Sequence, residues 1–207
     1  MVKSALVGTI LLSILTFILG IVIAFITALF RLSDNKFLIG IARFYVSIIR
    51  GTPLLVQLFI IFYGLPSIGI TISPFISAII GFSLSVGAYA SEIIRGSIQS
   101  IDKGQWEAAY SIGMSYGQTL RRIIIPQAAR VSLPPLSNTF ISLIKDTSLA
   151  SLILVTDMFR TAQEIAAMNF KFLLVYSEAA LIYWIICFIL SIIQGRLEAR
   201  VERYIAK

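Results

Sequence analysis

From Ala5 to Phe30 the chain carries no charged residue. A membrane-crossing helix needs about 20 apolar residues, and this run exceeds that. A secretory signal core is about 7–15 residues long. This run is longer and no A-x-A-like site closes it, so it reads as a retained span. Inside lipid the backbone must satisfy its own hydrogen bonds, which confines such a segment to a helix.

Four further apolar runs follow, near 54–72, 75–94, 133–155 and 172–193. The expected fold class is therefore all-α: a polytopic membrane protein with five transmembrane helices in one transmembrane domain over 1–207. Gly64 and Pro66 interrupt the second run, but Thr52 and Pro53 mark its start as a cap and a first-turn proline. The composition agrees. Of 207 residues, 58% are hydrophobic and 13% charged, against about 25% charged in soluble domains.

Loop charge sets an orientation. The 31–53 stretch holds Arg31, Lys36, Arg43 and Arg50 against Asp34, whereas 66–74 has no charge. The 95–130 stretch holds Arg95, Lys103, Arg121, Arg122 and Arg130 against Asp102 and Glu107, whereas 157–171 is balanced. The tail from Arg196 is again basic. Basic residues collect in cytoplasmic loops, so the N-terminus is expected outside and the C-terminus inside. The net charge of +7 is thus assigned to the membrane and not to nucleic acid. With no histidine and the single Cys187 in an apolar run, neither a His/Cys metal site nor an internal disulfide is expected.

The polar stretch 104–130 stands out between two spans. Trp106, Ala109, Tyr110 and Gly113 fall at i, i+3, i+4 and i+7, one face of a helix on which Ala109 and Gly113 admit a close neighbour. A second short helix is expected from about Ser115 to Ile125, ended by Pro126. From periodicity, both a helix packed under its own bundle and a docking surface remain open.

The residues go further. "EAAYSIG", nine residues, then "IIIP" resembles the EAA motif of ABC importer permeases, with Glu107, Ala108, Ala109, Gly113, Ile123 and Pro126 matching and Ile125 standing where Leu is usual. "RGTPLLVQLFIIFYGLP" and "LPPLSNTFISLIKDTSLAS" extend the resemblance over essentially the whole chain, to the polar amino acid branch and within it most to the L-cystine permeases. Members usually carry a short segment before the first span; this chain nearly lacks one, which implies a shortened or differently assigned start. The resemblance implies a type I ABC importer permease fold in a bacterial cell membrane. It implies that Glu107, Ala108, Ala109, Gly113, Met114 and Ser115 couple to a separate ATPase. It also implies a second permease subunit, identical or related, an extracytoplasmic substrate-binding protein and an amino-acid substrate. The chain has no G-x-x-x-x-G-K-[ST]. No cofactor is expected on it, ATP and Mg belonging to the ATPase.

Charges in the fourth run mark a candidate substrate path. Lys145 and Asp146 lie near its middle, where a charge costs about 2.5–3.5 kcal/mol. Adjacent helical residues diverge by about 100°, so each needs another partner, with Glu92 available for Lys145 and Arg95 for Asp146. Alternatively, Asp146 or Thr147 caps a broken helix whose N–H groups, near Thr147 and Ser148, hold a substrate carboxylate. Asp146 or Glu92 would then hold the ammonium. A purely structural ion-pair lattice is the other possibility. Gln57, Tyr89, Asn138, Thr139 and Ser142 are further polar groups that line a path or bond between helices. The 156–171 loop is expected to be solvated or to contact a binding protein.

The leading expectation is a permease subunit of an amino-acid ABC importer, with L-cystine the first substrate from the resemblance and Gln, Glu, Arg or His the alternative. An ion-coupled secondary carrier would use Lys145, Asp146 and Glu92 as its relay. An intramembrane enzyme lacks a nucleophile–base pair.

Overall fold

The computed structural model describes residues 1–205. Side chains beyond Arg200 are not part of that description, so the tail charges Glu202, Arg203 and Lys207 lie outside the described residues. Among the described residues every regular element is helical.

Helix α1, Val2–Leu32, contains the charge-free run and opens with a π-helical stretch at Ala5–Ile10. Helix α2, Lys36–Gly51, is capped by the Asn35 side chain, which accepts from the Phe37 and Leu38 N–H groups. Helix α3, Leu54–Ile68, tightens to 3-10 turns at Leu65–Ile68 and stops where Gly69 turns left-handed, φ 85°. The others are α4 (Pro74–Gln99), α5 (Lys103–Ser111), α6 (Tyr116–Ile153), α7 (Met158–Asn169) and α8 (Phe172–Ile205). Helices α1, α4 and α8 are each long and apolar enough to cross a membrane. Two bent pairs, α2 with α3 at 103° and α6 with α7 at 53°, bring the number to as many as five.

The second span differs from expectation. The 31–53 stretch, read as a loop, is helical from Lys36, while 70–73 lie outside helix α3. Helix α2 is amphipathic, so its three basic residues hide it from a search for apolar runs. Pro53 has no N–H and sits extended, ψ 135°, which breaks the ladder and allows the bend. Gln57 repairs the break. Its Nε2 donates to the Ile49 carbonyl (2.8 Å), the Thr52 carbonyl (3.1 Å) and Thr52 Oγ1 (2.9 Å). Without water, freed carbonyls need such donors.

Pro126 does not end a short helix either. The chain continues from Tyr116 through Pro126, Pro134 and Pro135 into one long α6. A π-helical turn at Leu120–Ile124 lies just before Pro126. Its wider winding moves the preceding carbonyl away from the proline ring, which an α-turn would not. The expected solvated loop after the fourth span is the helix α7, with Met158, Ala162 and Ala166 buried.

Packing centres on α1 against α4. Gly20, Ala24 and Ala28 are buried on α1, and Ser83, Val86, Gly87 and Ala90 on α4. A Cβ on Gly20 would lie 2.5 Å from Val86 Cγ1. One on Gly87 would meet the Tyr45 hydroxyl at 2.6 Å and Ile23 Cγ2 at 2.7 Å. Tyr45 also donates to the Leu84 carbonyl (2.6 Å), fixing α2 on α4. Leu58 of α3 seats over Gly81, where an added Cβ would meet its Cδ2 at 2.5 Å.

Gly20→Leu is therefore expected to overpack this seam and cost about 1–3 kcal/mol, seen as a lower thermal midpoint of the detergent-solubilised protein. Gly40→Leu, where nothing lies within 4 Å of the added Cβ, should leave that midpoint unchanged or slightly raised.

Candidate functional site

A cavity of about 420 Å³ opens between α3, α4 and α6. Its walls include Leu54, Tyr89, Asn138, Thr139, Ser142 and Asp146. Asn138, Ser142 and Asp146 recur every four residues, so they form one polar stripe along α6. Ser85 and Tyr89 repeat the spacing on α4 and line the same cavity. Lys145 points elsewhere, into a separate crevice of about 490 Å³ with Tyr183 and Cys187. Neither Lys145 nor Asp146 forms an ion pair among the described residues.

The expected pairings of Glu92 with Lys145 and of Arg95 with Asp146 do not form. Glu92 is paired with Arg31, at the end of α1, and with Arg95 one turn on (2.8 Å). Arg95 also donates to Gln99 Oε1 at 2.5 Å. Glu92 is thus turned toward the α1 terminus and away from α6. Gln57 is likewise absent from the cavity walls, being committed to the α2–α3 bend. Asn138 accepts from Gln194 (3.0 Å), which ties the cavity wall to α8.

The helix does not restart at Asp146 or Thr147. Both are right-handed helical, Asp146 caps nothing, and the winding only tightens to 3-10 at Thr147–Ile153. Thr147 and Ser148 donate backward, to the Ile144 and Lys145 carbonyls (each 2.7 Å). The break comes later, where Leu154 is left-handed (φ 64°). Asp157 caps α7, accepting from the Arg160 N–H at 2.8 Å. Asp157 is fully buried, Tyr183 donates to its second oxygen (3.5 Å), and Thr9 accepts from the Met158 N–H (3.3 Å). The protein's own groups therefore fill this helix N-terminus.

At the far end of α4, Asp102 caps α5 by accepting from the Gly104 N–H (2.6 Å). Gly113 is not on the helical face. It is left-handed, φ 80°, and the chain closes with Met114 N–H to the Ala109 carbonyl (3.1 Å) and Gly113 N–H to the Tyr110 carbonyl (2.9 Å). This is a Schellman closure, in which the residue after the cap must adopt positive φ. Ser115 then opens α6 through a reciprocal capping box with Gln118. Ala109 faces inward, 1% exposed, and is not free for a neighbouring backbone. Trp106 also packs inward, against Ile98, Ile124 and Ala128, and stacks on Tyr116 at 5.5 Å. Glu107, Ala108, Tyr110 and Ile112 remain outward.

Residues 5–203 match the binding-protein-dependent transport system inner membrane component family. The chain belongs to that family. Over 200 residues it is 64% identical to the L-cystine transport system permease protein TcyB of Bacillus subtilis (strain 168), covering 96% of this chain and 86% of that one. It is 45% identical to the probable amino-acid ABC transporter permease protein YckA of the same organism, covering 95% and 87%. A crystal structure of an amino acid ABC transporter with histidines superposes with a TM-score of 0.91 at 35% identity, covering 96% of this chain and 92% of that chain. The protein is thus a multi-pass inner membrane component of an ABC transport system.

Two features of this permease escaped the sequence reading. Asp157 sits in what read as a loop, and its burial depends on α1 and α8, distant in sequence. Arg50, counted only as loop charge, lies with its guanidinium carbon 5.2 Å from the centre of the Tyr89 ring, beside the cavity.

Since Gly113 serves conformation and nothing lies within 4 Å of its would-be Cβ, Gly113→Asn should retain most transport. Asn tolerates the left-handed region, whereas a β-branched residue does not. Gly113→Val should lose most transport, measured as uptake in proteoliposomes at matched protein level.

Proposed function

We propose that this permease carries an amino acid, L-cystine first among candidates, through the cavity between α3, α4 and α6. Asp146 in the cavity wall, without an ion-pair partner among the described residues, carries the reading. A charge held there without a protein partner is suited to a ligand ammonium. Tyr89, Asn138, Thr139 and Ser142 supply neutral hydrogen-bonding groups around it. The 64% identity to a protein named for L-cystine transport supports that substrate; glutamine, glutamate, arginine or histidine is the alternative.

In this reading the chain makes five crossings with its N-terminus outside, the bent pairs α2–α3 and α6–α7 each counting once. Helix α5 and its closure at Gly113–Ser115 lie in the cytoplasm and seat on an ATPase subunit, which binds ATP and Mg. Glu107 and Ala108 are on the outward side for that contact. A second permease subunit, identical or related, completes the path, and an extracytoplasmic binding protein delivers substrate. The roles of Thr147, Ser148, Glu92 and Gln57 are structural in this scheme.

The test is reconstitution with the ATPase and binding protein in liposomes, across a panel of amino acids. L-cystine should stimulate ATP hydrolysis only when both partners are present. Uptake driven by an ion gradient without the ATPase would overturn the reading in favour of a secondary carrier. Asp146→Asn should lower L-cystine uptake at least about tenfold, the scale of a lost charge-assisted hydrogen bond, with assembly unchanged. For orientation, Ile112→Cys, 77% exposed, placed in a Cys187→Ser background should react with impermeant maleimide only in inside-out vesicles. Labelling in intact cells would reverse the topology.

A further inference from the structure

We propose that Arg50 is the carboxylate-recognising residue of the cavity, held in place by the face of Tyr89. The proposal rests on the reading of this cavity as an amino-acid path and adds the group that reads the other end of the substrate.

Three observations converge on Arg50. First, it lies at the end of α2, just before the 103° bend, and Leu54 four residues later is a cavity wall. Second, its guanidinium lies over the Tyr89 ring, and Tyr89 lines the same cavity. An aromatic face orients a guanidinium by attraction to the ring while leaving its N–H edge free for a planar anion. Third, Arg50 has no carboxylate partner among the described residues, whereas Arg31, Arg95 and Arg160 all have one.

Among the described residues the cavity wall thus carries a carboxylate without an ion-pair partner, Asp146 on α6, and behind the Tyr89 wall lies a guanidinium without one, Arg50. A zwitterion carries the complementary pair. Arg50 is suited to the α-carboxylate through paired N–H groups, and Asp146 to the α-ammonium. Arg43, on the same helix, is also exposed and basic, but among the described residues no aromatic ring of the cavity wall lies under its guanidinium. The geometry therefore singles out one of the basic residues of α2.

The experiment measures binding of L-cystine and of cystamine, the same disulfide without carboxylates, to the purified permease–ATPase complex without binding protein. Omitting the binding protein keeps its own selectivity out of the result. The wild-type complex should prefer L-cystine. Arg50→Gln should reduce that preference by about ten- to hundredfold, by weakening L-cystine binding while cystamine binding stays within about twofold. Arg43→Gln should leave the preference intact. Tyr89→Leu, which keeps the cation but removes its support, should reduce the preference in the same direction, and it decides the matter if Arg50→Gln does not assemble. An undiminished preference in either Arg50→Gln or Tyr89→Leu overturns the assignment, including the case in which Arg50 pairs with another subunit. A wild-type complex that binds none of the amino-acid panel would instead overturn the amino-acid reading of the cavity.

Discussion

The close approach of α1 to α4 is the contact on which the other helices depend. Lipid tails are as apolar as leucine, so burial of apolar surface does not drive helices together in a bilayer; dense packing between small residues does. Gly20 and Gly87 let the two helices come within van der Waals contact of Val86 and Ile23. The same α4 then receives Leu58 of α3 at Gly81 and the Tyr45 hydroxyl of α2 at Leu84. Its Glu92 is paired with Arg31 of α1. Helix α4 is thus both the structural spine and one wall of the cavity. The position of Tyr89 in that wall follows from a seam of glycines and alanines on the opposite side.

Several polar residues are engaged by groups of the chain itself. Glu92 lies between two arginines, Gln57 is bonded to the carbonyls at the α2–α3 bend, and Asp157 has an N–H and a hydroxyl directed at it. These groups close breaks in helices or fasten helix ends. Asp146 and Arg50 have no ion-pair partner among the described residues, and Arg50 only the face of Tyr89. On the proposed reading, these two are the groups left available to a ligand.

The long apolar runs made the all-helical class and the spans of α1, α4 and α8 legible, because twenty uncharged residues have few alternatives. The EAA spacing was legible as a family signature. What Gly113 does there was not, because a glycine on a helical face and a glycine in a left-handed closure look alike in sequence. Helix α2 was missed because its basic residues fall on an otherwise apolar periodicity. The Lys145–Asp146 divergence followed from 100° per residue, but their partners did not. Choosing between Glu92 and no partner requires knowing that Arg31, about sixty residues away in sequence, reaches Glu92 first. Capping residues alone offer a break at Asp146 or Thr147 as one alternative; the chain breaks after Ile153, where α7 can bury Met158 and Ala162.

On the proposed reading, the connections around α5 explain how a contact made there reaches the cavity. Only 100–102 separate α4 from α5, and 112–115 separate α5 from α6, each joint closed by a side-chain cap or a Schellman turn. Gln127 of α6 also donates to Gln105 of α5 at 3.2 Å, and Trp106 packs between the two long helices. Helix α5 therefore cannot shift without taking the adjoining ends of α4 and α6 with it. Asp146 lies thirty residues beyond Tyr116, about 45 Å along the helix at 1.5 Å per residue. The two routes differ in stiffness. Helix α6 contains Pro134 and Pro135 between α5 and Asp146, where missing N–H groups weaken the ladder. Helix α4 has no proline after Pro74 at its far end. Movement of α5 would thus reach Tyr89 through a rigid rod and Asp146 through a bendable one, so the two walls of the cavity separate instead of moving together.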